Sequence, residues 1–175
     1  MDRNDFVINR LTIDYQLKPF DCGDPDLNEF LHNDARFYLR EHLAVTYLVE
    51  TETDTIAYFS VQNDKISLDD FPSNNQFNKA RKSIPRAKMH KSYPAVKVGR
   101  LAVSEKFQGL RFGPRILDYL KLLFVHNNRT GCRFMLVDAY TTKIRFYEDQ
   151  QFCLLKPKND QEKTQLMYCD LKPLQ

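Results

Sequence analysis

The chain has 175 residues, of which 42% are hydrophobic and 13% aromatic, a composition that excludes a disordered polypeptide and predicts one folded domain over residues 1–175. Its net charge is only +3, and no apolar run approaches the roughly 20 residues of a membrane span, so no membrane association is expected. Its four cysteines have neither paired spacing nor histidines at metal-site intervals, which predicts reduced, mostly buried thiols, no bound metal and a cytoplasmic protein.

The first half of the chain predicts two helices and three strands. In chain order they are a strand over 6–13, a helix over 24–42, strands over 45–50 and 55–62, and a short helix near 75–83 within the least regular stretch, 64–93. The first helix has the clearest start, because Asp24 is a favourable N-cap and Pro25 suits the first helical turn. Its apolar side chains recur on one face, so we expect that face to contact a core.

The second half predicts a mixed sheet with helices. In chain order its elements are a strand over 96–103, a helix over 114–127, a strand over 133–138, a short helix over 143–149, and strands over 152–155 and 165–171. The apolar side chains of the long helix that we expect to face a core are Ile116, Leu117, Leu120, Leu123 and Phe124. Strands followed by a strand–helix–strand–helix unit predict an α/β fold with helices on both faces of the sheet.

The junction between the strand 98–103 and the long helix is the most informative segment. A short turn over 108–113 opens the helix, and Pro114 lies in its first turn, where a missing N–H is harmless. Several backbone N–H groups therefore lie at the positive end of a helix dipole, which is typical of a phosphate or pyrophosphate site. A strand–turn–helix junction without any ligand stays an alternative on this segment alone.

This junction resembles the acyl-CoA-binding motif of the GNAT N-acetyltransferases, a strand reading about L-A-V followed by Gln/Arg-x-x-Gly-x-Gly/Ala and a helix. The strand matches at 101–103, and the turn matches at its first and last positions, Gln108 and Gly113, whereas Arg111 replaces the central glycine. The resemblance implies acetyl-CoA as acetyl donor. It assigns cofactor binding to Leu101, Ala102, Val103, Gln108, Gly109, Leu110, Arg111, Phe112 and Gly113.

A second segment, 145–152, resembles the F-Y-E-x-x-G-F of the same family, with Gln151 in place of the glycine. The resemblance implies that Tyr147 is catalytic and returns a proton to the leaving thiolate. A phenol with a pKa of about 10 is a competent acid toward a thiolate with a pKa of about 8.5. An ordinary half-buried tyrosine explains this segment alone better, but the order and spacing of the two segments together favour the acetyltransferase.

The family resemblance also implies a fold. The GNAT fold has a mixed, mostly antiparallel sheet of six to seven strands with helices on both faces, and here the strand 98–103 would splay from the strand 133–138. The pantetheine arm would lie in that gap. The opening, 20–31, resembles a branch that includes the toxins of toxin–antitoxin pairs, which acetylate aminoacyl-tRNA, although non-toxic relatives share this opening.

The acceptor is expected to be a primary amine, acetylated by direct transfer in a ternary complex. Residues 71–104 contain eight basic and no acidic residues, which suits an anionic partner. The residues predicted to contact a charged tRNA are Lys79, Arg81, Lys82, Arg86 and Lys88. A merely solvated basic stretch stays open, as do a small-molecule or protein amine acceptor and a non-catalytic acyl-CoA-binding protein. The resemblance further implies an antitoxin partner and a homodimer.

Overall fold

The structure is a computed structural model and describes residues 6–82, 84, 90–126 and 130–172. Within these residues seven strands form one sheet, in the order β1-β2-β3-β4-β5-β7-β6. In chain order they are β1 (Val7–Arg10), β2 (Val45–Glu50), β3 (Thr55–Ser67), β4 (Ser92–Val103), β5 (Phe134–Tyr140), β6 (Cys153–Leu154) and β7 (Thr164–Asp170). The mixed, mostly antiparallel sheet confirms the predicted fold class, whereas the splay of the strand 98–103 stays a prediction.

The helices follow the predicted order with different ends. They are α1 (Pro25–Glu29), α2 (Ala35–Arg40), α3 (Asn74–Ala80), α4 (Phe112–Val125) and α5 (Ile144–Glu148). The Asp24 side chain accepts a hydrogen bond from the Leu27 N–H at 3.2 Å, which confirms the predicted N-cap. A π-helical turn over Phe30–Asp34 joins α1 to α2. The predicted ends at Ser83 and Asn127 lie outside the described residues.

Two strands are longer than the sequence pattern indicates. β3 continues to Ser67 and β4 begins at Ser92, so parts of the stretch expected to be irregular belong to the sheet. The polar residues after Gln62 made the sequence pattern end too early for β3. Within this last part of β3, however, Ile66 is only 1% exposed. Pro94 lies inside β4. It has no N–H to donate to a neighbouring strand, but its carbonyl accepts a hydrogen bond from the Arg133 N–H at 3.0 Å.

The chain groups into two compact units. The first comprises the described parts of Met1–Gln62 and Val98–Leu117, and the second comprises those of Asn63–Lys97 and Asp118–Gln175. The core of the first unit contains Leu11, Phe20, Phe30, Leu31, Ala35, Leu48, Tyr58 and Ala102. The core of the second contains Ile66, Phe71, Phe77, Tyr93, Ala95, Phe134, Leu136 and Leu155. Each unit therefore has apolar contacts of its own.

The predicted core face of α4 is partly wrong. Leu117 and Leu120 are fully buried, but Leu123 is 38% exposed and Lys121 is only 5% exposed. At 3.6 residues per turn, Lys121 lies about 40° round the helix from Leu117, whereas Leu123 lies about 120° away. Because the period favours the lysine position over the leucine, a charged side chain is buried there.

Two further expectations concern the thiols and the membrane. All four cysteines are free, but only Cys169 is buried and Cys153 is exposed, so the expectation of mostly buried thiols is wrong. The sulfur atoms lie on strands and loops whose exposure the sequence spacing does not fix.

In the part of the chain that the structure describes, no helix combines the length and the apolar character of a membrane span.

Candidate functional site

The first unit carries the turn that joins β4 to α4. A 3-10 turn over Glu105–Phe107 is followed by two left-handed residues, Gly109 with a φ of 78° and Arg111 with a φ of 62°. Glycine reaches this region at no steric cost, whereas an arginine is strained there. Arg111 nevertheless has the backbone conformation that a glycine would favour. The substitution therefore leaves the course of the turn intact.

Four backbone N–H groups at this junction have no partner among the described residues. Those of Gly109, Arg111, Phe112 and Gly113 donate to no other described residue, and Pro114 has no N–H. The first N–H groups of a helix have no partner within it, and the aligned peptide dipoles of 14-residue α4 place about half a positive charge at this end. The junction is therefore chemically suited to an anion such as a phosphate group.

Gln108 stabilises this turn through hydrogen bonds to the backbone. Its side-chain Nε2 donates to the carbonyl oxygens of Val103 and Cys22, both at 3.0 Å, and its backbone N–H donates to the Glu105 carbonyl at 3.2 Å. The side-chain amide nitrogen thus donates to two carbonyl groups of the protein itself. Gln108 therefore fixes the distance between the end of β4 and the start of the turn.

The opening segment 20–28 supports the same turn, a role that the sequence did not indicate. The Asp21 carbonyl accepts the Glu105 N–H at 2.8 Å, and its carboxylate accepts from the Gly23 N–H at 2.8 Å and from Asn28 Nδ2 at 2.6 Å. These two hydrogen bonds, the backbone one foremost, hold the pKa of Asp21 below its usual value. Gly23 has a φ of 78°, and a Cβ there would lie 2.4 Å from Glu105 Oε1. Only glycine therefore fits at this position without rearrangement.

The predicted strand residues point to opposite faces of β4. Ala102 is 5% exposed and belongs to the core of the first unit, whereas Leu101 and Val103 are partly exposed. Leu110 is 55% exposed. Side chains alternate across a strand, so Leu101 and Val103 share the face that Ala102 does not occupy.

Glu50 forms a buried polar cluster that the sequence did not reveal. The carboxylate is fully buried and accepts from Asn9 Nδ2 at 2.9 Å, from Thr55 Oγ1 at 3.2 Å and from the Tyr15 hydroxyl. The ammonium of Lys18 lies 3.8 Å away. Because these donors already engage the carboxylate, Glu50 ties β1 to the β2–β3 hairpin. It is therefore a poor candidate for a general base.

The second unit carries Tyr147 on α5, whose C-terminus has a specific cap. The Phe152 N–H donates to the Tyr147 carbonyl at 3.0 Å and the Gln151 N–H donates to the Glu148 carbonyl at 2.9 Å, while Gln151 has a φ of 66°. This combination is the Schellman motif, in which glycine is commonest at the left-handed position. Gln151 therefore lies at the position where the F-Y-E-x-x-G-F pattern has glycine, and it adopts the left-handed conformation that glycine favours at the end of a helix.

The Tyr147 side chain is held by aromatic contacts, and its hydroxyl has no hydrogen-bond partner among the described residues. Its ring lies edge-on to Phe146 at 4.9 Å and to Phe152 at 5.6 Å between centroids. Burial raises the pKa of Tyr147 to about 12, so the phenol stays protonated at neutral pH. The residue is only partly buried, as is common for tyrosine, whose ring is apolar and whose hydroxyl is polar. The hydroxyl is thus available to a ligand.

Several basic residues of the second unit have polar or acidic partners, so the basic stretch carries less unpaired positive charge than its sequence indicates. Lys79 and Lys82 are exposed, but Arg81 donates to Asn78 Oδ1 at 2.9 and 2.5 Å. Lys97 forms an ion pair with Asp138 at 2.5 Å, so an acidic residue from β5 offsets part of the charge. Arg86 and Lys88 lie outside the described residues.

No protein-family model matches the sequence, but solved structures match it over almost its full length. A tyrosine-to-phenylalanine mutant of KacT has 20% sequence identity and a TM-score of 0.78, with 98% of both chains covered. AtaT complexed with acetyl-methionyl-tRNAfMet has 24% identity and a TM-score of 0.74, with 97% of both chains covered. A mutant AtaT toxin bound to acetyl-CoA and the C-terminus of the antitoxin AtaR has 20% identity and a TM-score of 0.67, covering 98% of this chain and 96% of that one. These neighbours are GNAT-fold toxin acetyltransferases, and the chain shares their fold.

Proposed function

We propose that the chain is an N-acetyltransferase that moves an acetyl group from acetyl-CoA to a primary amine by direct transfer in a ternary complex. One observation carries the proposal: the turn over 108–113 keeps a glycine-like backbone at Arg111 and presents, at the start of α4, four N–H groups that no described residue accepts from. The GNAT fold supports it, as does the acetyl-CoA in the AtaT complex.

The proposed donor site uses backbone more than side chains. The N–H groups of Gly109, Arg111, Phe112 and Gly113 bind the pyrophosphate, since a helix N-terminus suits an anion. The Leu110 side chain is exposed beside them and covers the coenzyme. The β4 segment 101–103 pairs with the pantetheine arm, and Gln108 keeps the turn in register with that strand.

The proposed reaction has a defined course for each bond. The neutral amine attacks the thioester carbonyl, which a backbone N–H of Ala102 or Val103 polarises. The new C–N bond forms and the C–S bond breaks. The departing thiolate takes the proton of the Tyr147 hydroxyl, and the amine loses its extra proton to solvent. The tyrosinate then takes a proton back from solvent, which restores the acid for the next turnover. Holding the two reactants together supplies a large part of the rate, because it removes the entropy cost of their encounter.

The proposed acceptor is the α-amino group of an aminoacyl-tRNA. An α-amine with a pKa of about 7.7–8.0 is partly neutral at physiological pH and needs little help from a base, unlike a lysine at about 10.4. The exposed Lys79 and Lys82 offer charge to a nucleic acid. The AtaT complex with acetyl-methionyl-tRNAfMet supports this choice, and the AtaR complex supports an antitoxin partner. A small-molecule or protein amine is the alternative acceptor.

The test begins with calorimetric titration of acetyl-CoA into the wild-type chain and into Gly113→Asp, in which a carboxylate opposes the phosphates. We expect one-to-one binding that the variant loses. Transfer is then measured with radiolabelled acetyl-CoA and methionyl-tRNAfMet, where Tyr147→Phe should lower turnover by about 100-fold or more. No binding by folded wild-type protein would refute the donor site. Binding without transfer to any tested amine would favour the non-catalytic alternative.

A further inference from the structure

We propose that Lys121 is a positioning residue for Tyr147, and that its buried ammonium group holds the C-terminal cap of α5 in place. This inference rests on the proposed acetyl-transfer function. Lys121 lies on α4, and its Nζ donates to the Gln150 carbonyl at 2.7 Å. That carbonyl belongs to the turn that ends α5, three residues after Tyr147. The two residues are therefore linked through a single capped turn.

The burial of Lys121 needs an explanation of this kind. Its side chain is only 6% exposed, and lysine is almost never buried so deeply without a partner because its charge loses hydration. Asp118 lies 3.7 Å away but is 65% exposed, so this pair contributes little. The ammonium also lies 5.8 Å from the centre of the Phe152 ring. The Gln150 carbonyl is thus the closest partner that the structure gives this charge.

α5 depends on external contacts more than the longer helices do. It has only five residues, too few for an isolated helix to be stable. The cap that follows it contains the strained left-handed Gln151. The Tyr147 carbonyl accepts two hydrogen bonds of the cap, from Gln150 and from Phe152, both at 3.0 Å. A cation beside the last carbonyls of a helix also complements its dipole.

The consequence concerns the ring of Tyr147. Phe152 follows the left-handed residue, is 2% exposed and lies against the Tyr147 ring. If Lys121 no longer held Gln150, the cap would open, and the backbone and ring contacts that orient the phenol would loosen together. Misplacing a reacting group by about 1 Å can cost about 100-fold in rate, so a remote lysine can control a proton donor that it does not touch.

The experiment compares Lys121→Met, which removes the charge at similar length, with Lys121→Arg, which keeps a cation. Asp118→Asn is the matched control, since it removes the exposed partner and leaves the Gln150 contact. Acetyl transfer to methionyl-tRNAfMet is measured where circular dichroism shows each variant fully folded. For Lys121→Met we expect kcat to fall between about tenfold and 100-fold, with KM for acetyl-CoA within twofold. Lys121→Arg should recover most of kcat, and Asp118→Asn should match the wild type.

Amide hydrogen exchange tests the brace without relying on activity. The N–H groups of Gln151 and Phe152 should exchange about tenfold faster in Lys121→Met and at the wild-type rate in Asp118→Asn. If the wild type transfers acetyl to no amine, the proposed function fails, while exchange still judges the contact. Unchanged exchange overturns the inference, and so does faster exchange with unchanged kcat. If Lys121→Met does not fold, Lys121→Gln is measured in the same two ways.

Discussion

Replacing Gln151 by glycine should stabilise the protein, because the native backbone there suits glycine. Gln151 has a φ of 66° and an exposed side chain with no hydrogen bond among the described residues. A non-glycine residue in the left-handed region costs about 1–2 kcal/mol. Glycine instead loses about 0.5–1 kcal/mol through the greater freedom of the unfolded chain. The difference is a gain of roughly 0.5–1 kcal/mol in the free energy of unfolding.

Urea denaturation followed by circular dichroism measures this gain, since the chain has no tryptophan. For a chain of this size the gain corresponds to a rise in Tm of about 1–4 °C. Gln150→Gly is the matched control: Gln150 precedes the left-handed residue and does not have a positive φ, so the same change should lower stability by about 0.5–1 kcal/mol. Two changes of the same sign, or a Gln151→Gly variant no more stable than the wild type, would refute the argument from the cap.

Three further predictions concern Gly23, Tyr147 and the exposed lysines. Gly23→Ala should lower the free energy of unfolding by more than about 1 kcal/mol, because residue 23 has a φ of 78°, which alanine adopts only with strain. The new Cβ would also displace the Glu105 side chain, whose Oε1 lies 2.4 Å from the position of that Cβ. The variant should bind acetyl-CoA more weakly in calorimetry, and unchanged affinity would count against the support of the turn by this loop. Burial raises the pKa of Tyr147 to about 12, from about 10 in the unfolded chain, so the stability that the neutral phenol contributes is complete below about pH 10 and is lost as pH rises toward about 12. In urea titrations the free energy of unfolding should therefore fall more steeply above about pH 10 for the wild type than for Tyr147→Phe. Parallel falls would contradict burial of the phenol. Reversing both Lys79 and Lys82 to glutamate should weaken tRNA binding and reduce the log–log salt slope by about 1.4–1.8, and an unchanged slope would remove these lysines from the tRNA surface.

Local sequence patterns alone were sufficient to predict many of the structural elements of this protein. The N-cap at Asp24, the β2–β3 hairpin and the order of the helices follow from residues close together in the chain, which is why their positions were predicted within a few residues. The same holds for the turn that opens α4 and for the segment carrying Tyr147. Their residue types needed no distant partner to be recognised.

Contacts between distant residues decided the rest. The sequence marked Arg111 and Gln151 as departures from a glycine motif, but only the folded backbone keeps both residues at the left-handed φ of a glycine. The support of the turn by the loop at Gly23 depends on residues more than eighty positions apart. The burial of Lys121 depends on the carbonyl that accepts its hydrogen bond, 29 positions away. Helical periodicity places a residue on a face, but the neighbour across that face decides whether a charge can be buried there.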